Sequence, residues 1–155
     1  HMQTENDMKN MLESTHIGVI FLDNDLAVKR FTPQVTKIVN LIQTDLGRPL
    51  SDISPNIDYT DLVSDARHVL KTLVYKEFET RTRDGEWYLV RIMPYRTLEN
   101  VIDGVVITFT AIGRVRAAAE KIRAMAARQA EGRLRKADRT ARRTLQKYMK
   151  GRRKK

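Results

Sequence analysis

Val105-Val106-Ile107-Thr108-Phe109-Thr110-Ala111-Ile112 reads as a buried β-strand, and Gly113 alone separates it from a basic run with helical spacing from Arg114 to about Tyr148. β-Branched and aromatic residues dominate the first stretch, as they do in strands. No Pro-, Ser- or Gly-rich linker intervenes. A strand tied this directly to a helix can pass a change in its sheet to whatever the helix contacts. That is the mechanical layout of a signalling module.

Working outward, the segments before this strand alternate between strand and helix signals. Residues 4–14 suit a short amphipathic helix, capped by Asn6, with Met8, Met11 and Leu12 at helical spacing. Residues 17–22 and 26–31 read as an antiparallel hairpin around Asp23-Asn24-Asp25. Thr32-Pro33 marks a helix start, with Thr32 as cap and Val35, Ile38, Val39 and Ile42 on one face. After an irregular stretch, residues 43–58, a second helix is expected over 59–73. Leu62, Ala66, Val69, Leu70 and Leu73 lie on its apolar side. Residues 75–82 and 87–97 form another hairpin around Asp84-Gly85, a pair suited to a two-residue loop. That loop places Phe78 opposite Arg91, Glu79 opposite Val90 and Thr80 opposite Leu89. The first of these strands carries charges like an edge strand. The second, apolar on both faces, is expected to be central and covered on both sides. A loop over 98–104 then leads to the final strand. Five antiparallel strands with helices on one face make an α+β architecture.

Composition narrows the function. The 155 residues allow one domain plus an extension. With no cysteine there are no disulfides, thiolate metal sites, cysteine nucleophiles or flavin–cysteine adducts. No membrane span or signal peptide is visible, and a cytoplasmic location is expected. His1-Met2 reads as a cloning scar, so the chain is expected to be a piece of something longer. The net charge of +10 is uneven: residues 114–155 hold 17 basic and 3 acidic residues, against 12 and 16 in residues 1–113. An anionic partner for the tail, or a solvated helix, would account for this.

The element order and several separated segments resemble the PAS domain of bacterial chemotaxis-type methyltransferase/methylesterase fusion proteins. The segments are Ile20-Phe-Leu-Asp-Asn-Asp-Leu26, Arg30-Phe-Thr-Pro33, Gly47-Arg-Pro-Leu-Ser-Asp-Ile53, Trp87-Tyr-Leu89, Pro94-Tyr-Arg-Thr97 and Asp103-Gly-Val-Val106. The resemblance implies sheet order 2-1-5-4-3, a sensory or scaffolding role often exercised in dimers, and a small-ligand cavity in the core in some members. It divides the chain into residues 1–5 as lead-in, 6–112 as PAS domain and 113–155 as basic helical extension. A methyltransferase or other signalling domain would lie elsewhere in the parent chain. PAS domains commonly end their last strand with Asp-Ile-Thr, which links sheet to helix; here the positions are Ala111-Ile112-Gly113, and both polar side chains are missing.

Cavity candidates are Val35, Val39, Leu62, Val69, Leu73, Phe78, Arg91 and Met93. Arg91, placed mid-strand beside Phe78, Leu89 and Met93, needs an acceptor. Either an acid on the edge strand or helix supplies it, or Arg91 anchors an acidic ligand. No cofactor is expected. Haem-binding members of the family place an axial histidine on the long helix, but His68 falls near 240° from Leu62, off the apolar face, at about 100° per residue. His16 has no partner at metal spacing, so no metal site is expected. Trp87 and Tyr88 suit core packing better than flavin stacking, for no phosphate-cradling loop accompanies them. No nucleophile elbow or catalytic carboxylate pair is present, and no enzymatic role is expected.

In the tail, apolar positions from Val115 through Ala119 and Ile122 to Leu145 and Tyr148 advance by a mean of about 3.67 residues, near an 11-residue repeat. Alanine dominates this stripe, so a coiled coil would be weak alone. Val115 and Ile122, with Met8, Met11 and Leu12, are the expected dimer contacts. The alternative function is binding of nucleic acid or another polyanion, through Lys147, Lys150, Arg152 and Arg153.

Overall fold

A computed structural model describes residues 17–59 and 61–153. The chain divides into two compact units, His1–Gly113 and Arg114–Lys155. In the first, strands β1 (Gly18–Leu22), β2 (Val28–Phe31), β3 (Lys76–Arg81), β4 (Trp87–Arg96) and β5 (Ile102–Ala111) form one antiparallel sheet in the order β2-β1-β5-β4-β3. This is the expected α+β fold. Between β2 and β3 come three 3-10 turns (Pro33–Lys37, Gln43–Asp45 and Leu50–Asp52) and helix α1 (Leu62–Thr72). Helix α2, Gly113–Arg153, follows β5.

Strand alternation builds the core. Ile20 pairs with Ile107, which pairs with Ile92 on its other side. On the same face lie Leu22, Val90, Val105 and Phe109, all buried. Leu62, Ala66 and Val69 of α1, spaced for one helical side, join that cluster with Val35, Ile38 and Val39. On the opposite face, Phe21, Leu89, Met93 and Val106 stay half-buried and Arg91 is exposed. Among the described residues β4 is therefore covered on one side only, not on both as its apolar run suggested.

Several boundaries differ from expectation because side chains redirect backbone hydrogen bonds. The Asp23 carboxylate accepts the N–H groups of Asp25 and Ala27, both at 2.9 Å, and Leu26 takes φ 61°, so β2 begins only at Val28. Thr32 does not cap a helix; its hydroxyl accepts the Val19 N–H at 2.9 Å, fastening the end of β2 to β1. The helix expected through Ile42 is one 3-10 turn. Asp45 accepts the Ile42 N–H at 2.9 Å, Ile42 points outward, and Leu41 is buried instead. Helix α1 starts at Leu62 and stops at Leu73, which closes it with φ 61° and stands 41 % exposed rather than on the buried face. The last strand begins at Ile102, inside the expected loop.

The β3–β4 hairpin corrects the register by one residue. Its loop has three residues, Arg83-Asp84-Gly85: the Thr82 N–H reaches the Glu86 carbonyl at 2.8 Å, the Gly85 N–H reaches the Thr82 carbonyl at 2.9 Å, and only Gly85 has positive φ (93°). Phe78 therefore faces Val90, Glu79 faces Leu89, Thr80 faces Tyr88 and Glu77 faces Arg91. A one-residue slip exchanges the faces, which takes Arg91 away from Phe78.

Candidate functional site

Among the described residues of the first unit, two cavities stand out. One, of about 390 Å³, opens where β1 and β4 begin and β5 ends, lined by Gly18, Pro33, Lys37, Ile38, Tyr88 and Ala111 among others. Gly18 permits the close passage of the first 3-10 turn: a Cβ there would stand 3.3 Å from Val35. Tyr88 is buried, with its hydroxyl donating to Glu86 Oε2 at 3.0 Å. Burial first, and then the Glu86 carboxylate, push the phenol pKa up to about 12. It is therefore a neutral donor at ordinary pH, with Lys37 as a nearby cation.

The second cavity, of about 500 Å³, lies beside the edge strand. Leu73, Tyr75, Glu77, Arg91, Met93 and Arg96 line most of it. Arg91 Nε donates to Glu77 Oε2 at 2.7 Å, directly across the strand pair, and Arg96 reaches Asn100 at 3.2 Å. The acceptor for Arg91 is thus the edge-strand acid, one of the two arrangements expected for it, and the pair is exposed.

A polar cluster that the sequence reading overlooked ties α1 to β3. Asp65, buried on α1, accepts from the Tyr59 hydroxyl and from Lys76 Nζ. The Tyr59 ring packs on Phe78 with centroids 4.2 Å apart. Burial, followed by its bond to Asp65, raises the Tyr59 pKa, while the same carboxylate raises that of Lys76. The signal was present: Asp65 directly precedes Ala66 on the apolar side of the helix, where an acid demands a partner.

The family model of the PAS domain matches residues 8–113. The chain belongs to the PAS family. It is 34% identical over 110 residues to an uncharacterised 104.1 kDa protein of Rhodobacter capsulatus, an alignment covering 71% of this chain and 12% of that relative. Among solved structures it resembles the PAS domain of the histidine kinase ThkA (21% identity, TM-score 0.51, 60% of this chain and 96% of that one). It also resembles the PAS domain of an HTR-like protein from Haloarcula marismortui (16% identity, TM-score 0.50, 72% and 93%). At such identities the structural likenesses speak for the fold.

Within this PAS domain the eight cavity candidates separate. Val35, Val39, Leu62 and Val69 are core residues, at most 3% exposed, and Phe78 closes the core with Tyr59. Leu73, Arg91 and Met93 line the edge groove instead. Tyr88 packs in the core as expected. Trp87 is half-buried with the Arg81 guanidinium 5.8 Å from its ring centre. His68 is exposed, as its helical phase predicts. Among the described residues no group of three His, Cys, Asp or Glu is placed to hold a metal ion, and no helix is long and apolar enough to cross a membrane. Met8, Met11, Leu12 and His16 lie outside the described residues. In α2, Val115 and Ile122 are exposed, as are Lys147, Lys150 and Arg152; Arg153 is its last residue.

Proposed function

We propose that this PAS domain is a non-catalytic sensory or scaffolding module of bacterial, chemotaxis-like signal transduction, working in the cytoplasm as a homodimer without flavin or haem. A small ligand or a partner changes the packing of the sheet, and β5 relays that change to α2. The observation that carries the reading is the position of Ala111. It is the last residue of β5, it lines the 390 Å³ cavity, and α2 begins two residues later. The intervening Ile112 stays attached to the sheet, its N–H donating to the Trp87 carbonyl at 3.0 Å. With the Asp-Ile-Thr pair absent, this backbone bond takes the place of the side-chain clamp.

The dimer reading is supported by the exposure of Val115 (69%) and Ile122 (65%), which Met8, Met11 and Leu12 of a second copy would help to cover. Since the aligned region makes up 12% of the Rhodobacter relative, a methyltransferase or other signalling domain would occupy another part of the parent chain. Light scattering on the intact chain tests the assembly: twice the 18.0 kDa chain mass is expected, and a strict monomer at high concentration contradicts it. The relay is tested by substitution at Ala111, with exchange in α2 as the readout.

A further inference from the structure

We propose that one face of α2 docks on the phosphate backbone of B-form duplex DNA without reading its base sequence. This goes beyond the sensory reading and does not depend on it. At about 100° per residue, a sector about 140° wide collects eleven residues between Arg128 and Lys150. Eight are Arg or Lys, two are Gln and one is Gly. Arg139 lies near its middle, with Arg135 and Arg143 to either side of it. Glu120, Glu131 and Asp138, the acids of α2, gather beyond one edge of the sector, and Ala130, Ala137, Ala141 and Tyr148 occupy the other side of the helix. Basic residues scattered for solubility alone would not exclude acids and apolar residues from one face.

Every side chain from Lys121 to Lys150 is exposed. Asp138 pairs with Arg142 at 3.2 Å, but three acids cannot neutralise this much charge. The chemistry and dimensions of the face favour DNA. Five of the eight cations are arginines, whose guanidinium fork suits phosphate oxygens. A protein partner would need desolvated aromatic or aliphatic anchors, and this sector offers none. A membrane would need Trp, Phe or dense Leu on the opposite side, where alanine prevails. The B-DNA major groove, about 12 Å wide, admits a helix of this diameter.

The test uses the full chain and a labelled 24-base-pair duplex of mixed sequence, titrated by fluorescence anisotropy between 50 and 200 mM salt. With about eight phosphate contacts, log affinity should fall against log salt with a slope near −7, about 10,000-fold over that range. Two charge-matched variants separate the face from bulk charge. Arg135→Gln/Arg139→Gln/Arg143→Gln should reduce the slope to about −4.5, about 500-fold over the range. Arg123→Gln/Arg133→Gln/Arg152→Gln, which lie off the sector, should leave the slope within one of the parent. Glutamine keeps helix propensity, and circular dichroism checks it. A measurement needing no variant is acetylation with mass-spectrometric readout: the duplex should shield Lys136, Lys147 and Lys150 and spare Lys29 and Lys37. The proposal is overturned by undetectable binding at 50 mM salt or by equal effects of the two variants. Unshielded tail lysines, or equal or tighter binding of an RNA duplex, polyglutamate or anionic vesicles at matched charge, overturn it as well.

Discussion

Replacing Gly104 with alanine should break the join between β1 and β5. Gly104 has φ 142°, a conformation that side chains rarely adopt. A Cβ there would stand 2.9 Å from the Leu22 carbonyl carbon, 3.0 Å from Asp23 Cα and closer still to the Leu22 carbonyl oxygen. Unlike a flexible side chain, these backbone atoms cannot swing aside. Restoring normal contact requires the strands to part by about 1 Å or more, at the place where Leu22 pairs with Val105. Backbone strain of about 1–3 kcal/mol and one or two weakened hydrogen bonds at about 1 kcal/mol each give a loss of about 3–4 kcal/mol. That is a large part of the roughly 5–15 kcal/mol expected for such a domain. The melting temperature would fall by about 12–32 °C, at some 4–8 °C per kcal/mol. Trp87, the only tryptophan, reports unfolding of the sheet by fluorescence without interference from α2. Gly85→Ala is the control: its φ is also positive, 93°, but no atom lies within 4 Å of the added carbon, so only about 1 kcal/mol of strain is expected. Equal losses for the two variants, or less than 1 kcal/mol for Gly104→Ala, would refute the clash as the cause.

Arg91→Leu should cost under about 1 kcal/mol by urea unfolding, because its bond to Glu77 is exposed; a loss above 3 kcal/mol would mean that the guanidinium is buried in the folded protein. In an alkaline titration followed by tyrosine absorbance, one phenol should titrate near pH 12 and vanish in Tyr88→Phe. Tyr59 and Lys76 also have raised pKa values. Their stabilisation is therefore complete below the unfolded-state values near 10 and lost as pH rises through the folded ones, so thermal stability should decline above about pH 10. Asp65→Asn, which weakens the acceptor of both Tyr59 and Lys76, should cost about 2 kcal/mol in the same unfolding assay. An unchanged midpoint would mean the cluster contributes nothing.

The edge position of β3 and the exposure of His68 were legible because each follows from periodicity within one segment, whereas the strand order came from the resemblance to the PAS domain. The errors fall where a side chain or a loop overrode that periodicity. Asp23 and Asp45 capture backbone N–H groups that the apolar pattern had assigned to a strand and a helix. Thr32 looked like a cap because it precedes Pro33, yet its hydroxyl serves the Val19 N–H across the sheet, thirteen residues back. The Asp84-Gly85 pair suited a two-residue turn, and one added residue, Arg83, moved Arg91 to the face of Glu77. Such a slip leaves no trace in either strand's own pattern, since the pairing register changes the partner and not the sequence of side chains along a strand. Of the cavity candidates, Val35, Val39, Leu62, Val69 and Phe78 pack in or against the core and Leu73, Arg91 and Met93 line the edge groove, whereas the wall at Gly18, Tyr88 and Ala111 is assembled from three strand ends.

The most direct test of the relay is hydrogen exchange in α2 when the cavity beside Ala111 is filled. Ala111→Leu adds volume to the cavity wall and leaves the backbone pairing of Ala111 with Tyr88 in place. If β5 transmits sheet packing to the helix, amides over residues 113–120 should change their exchange rates at least threefold, with the Trp87 unfolding midpoint nearly unchanged. Unaltered exchange across those residues, in a variant whose sheet is otherwise intact, would contradict the relay.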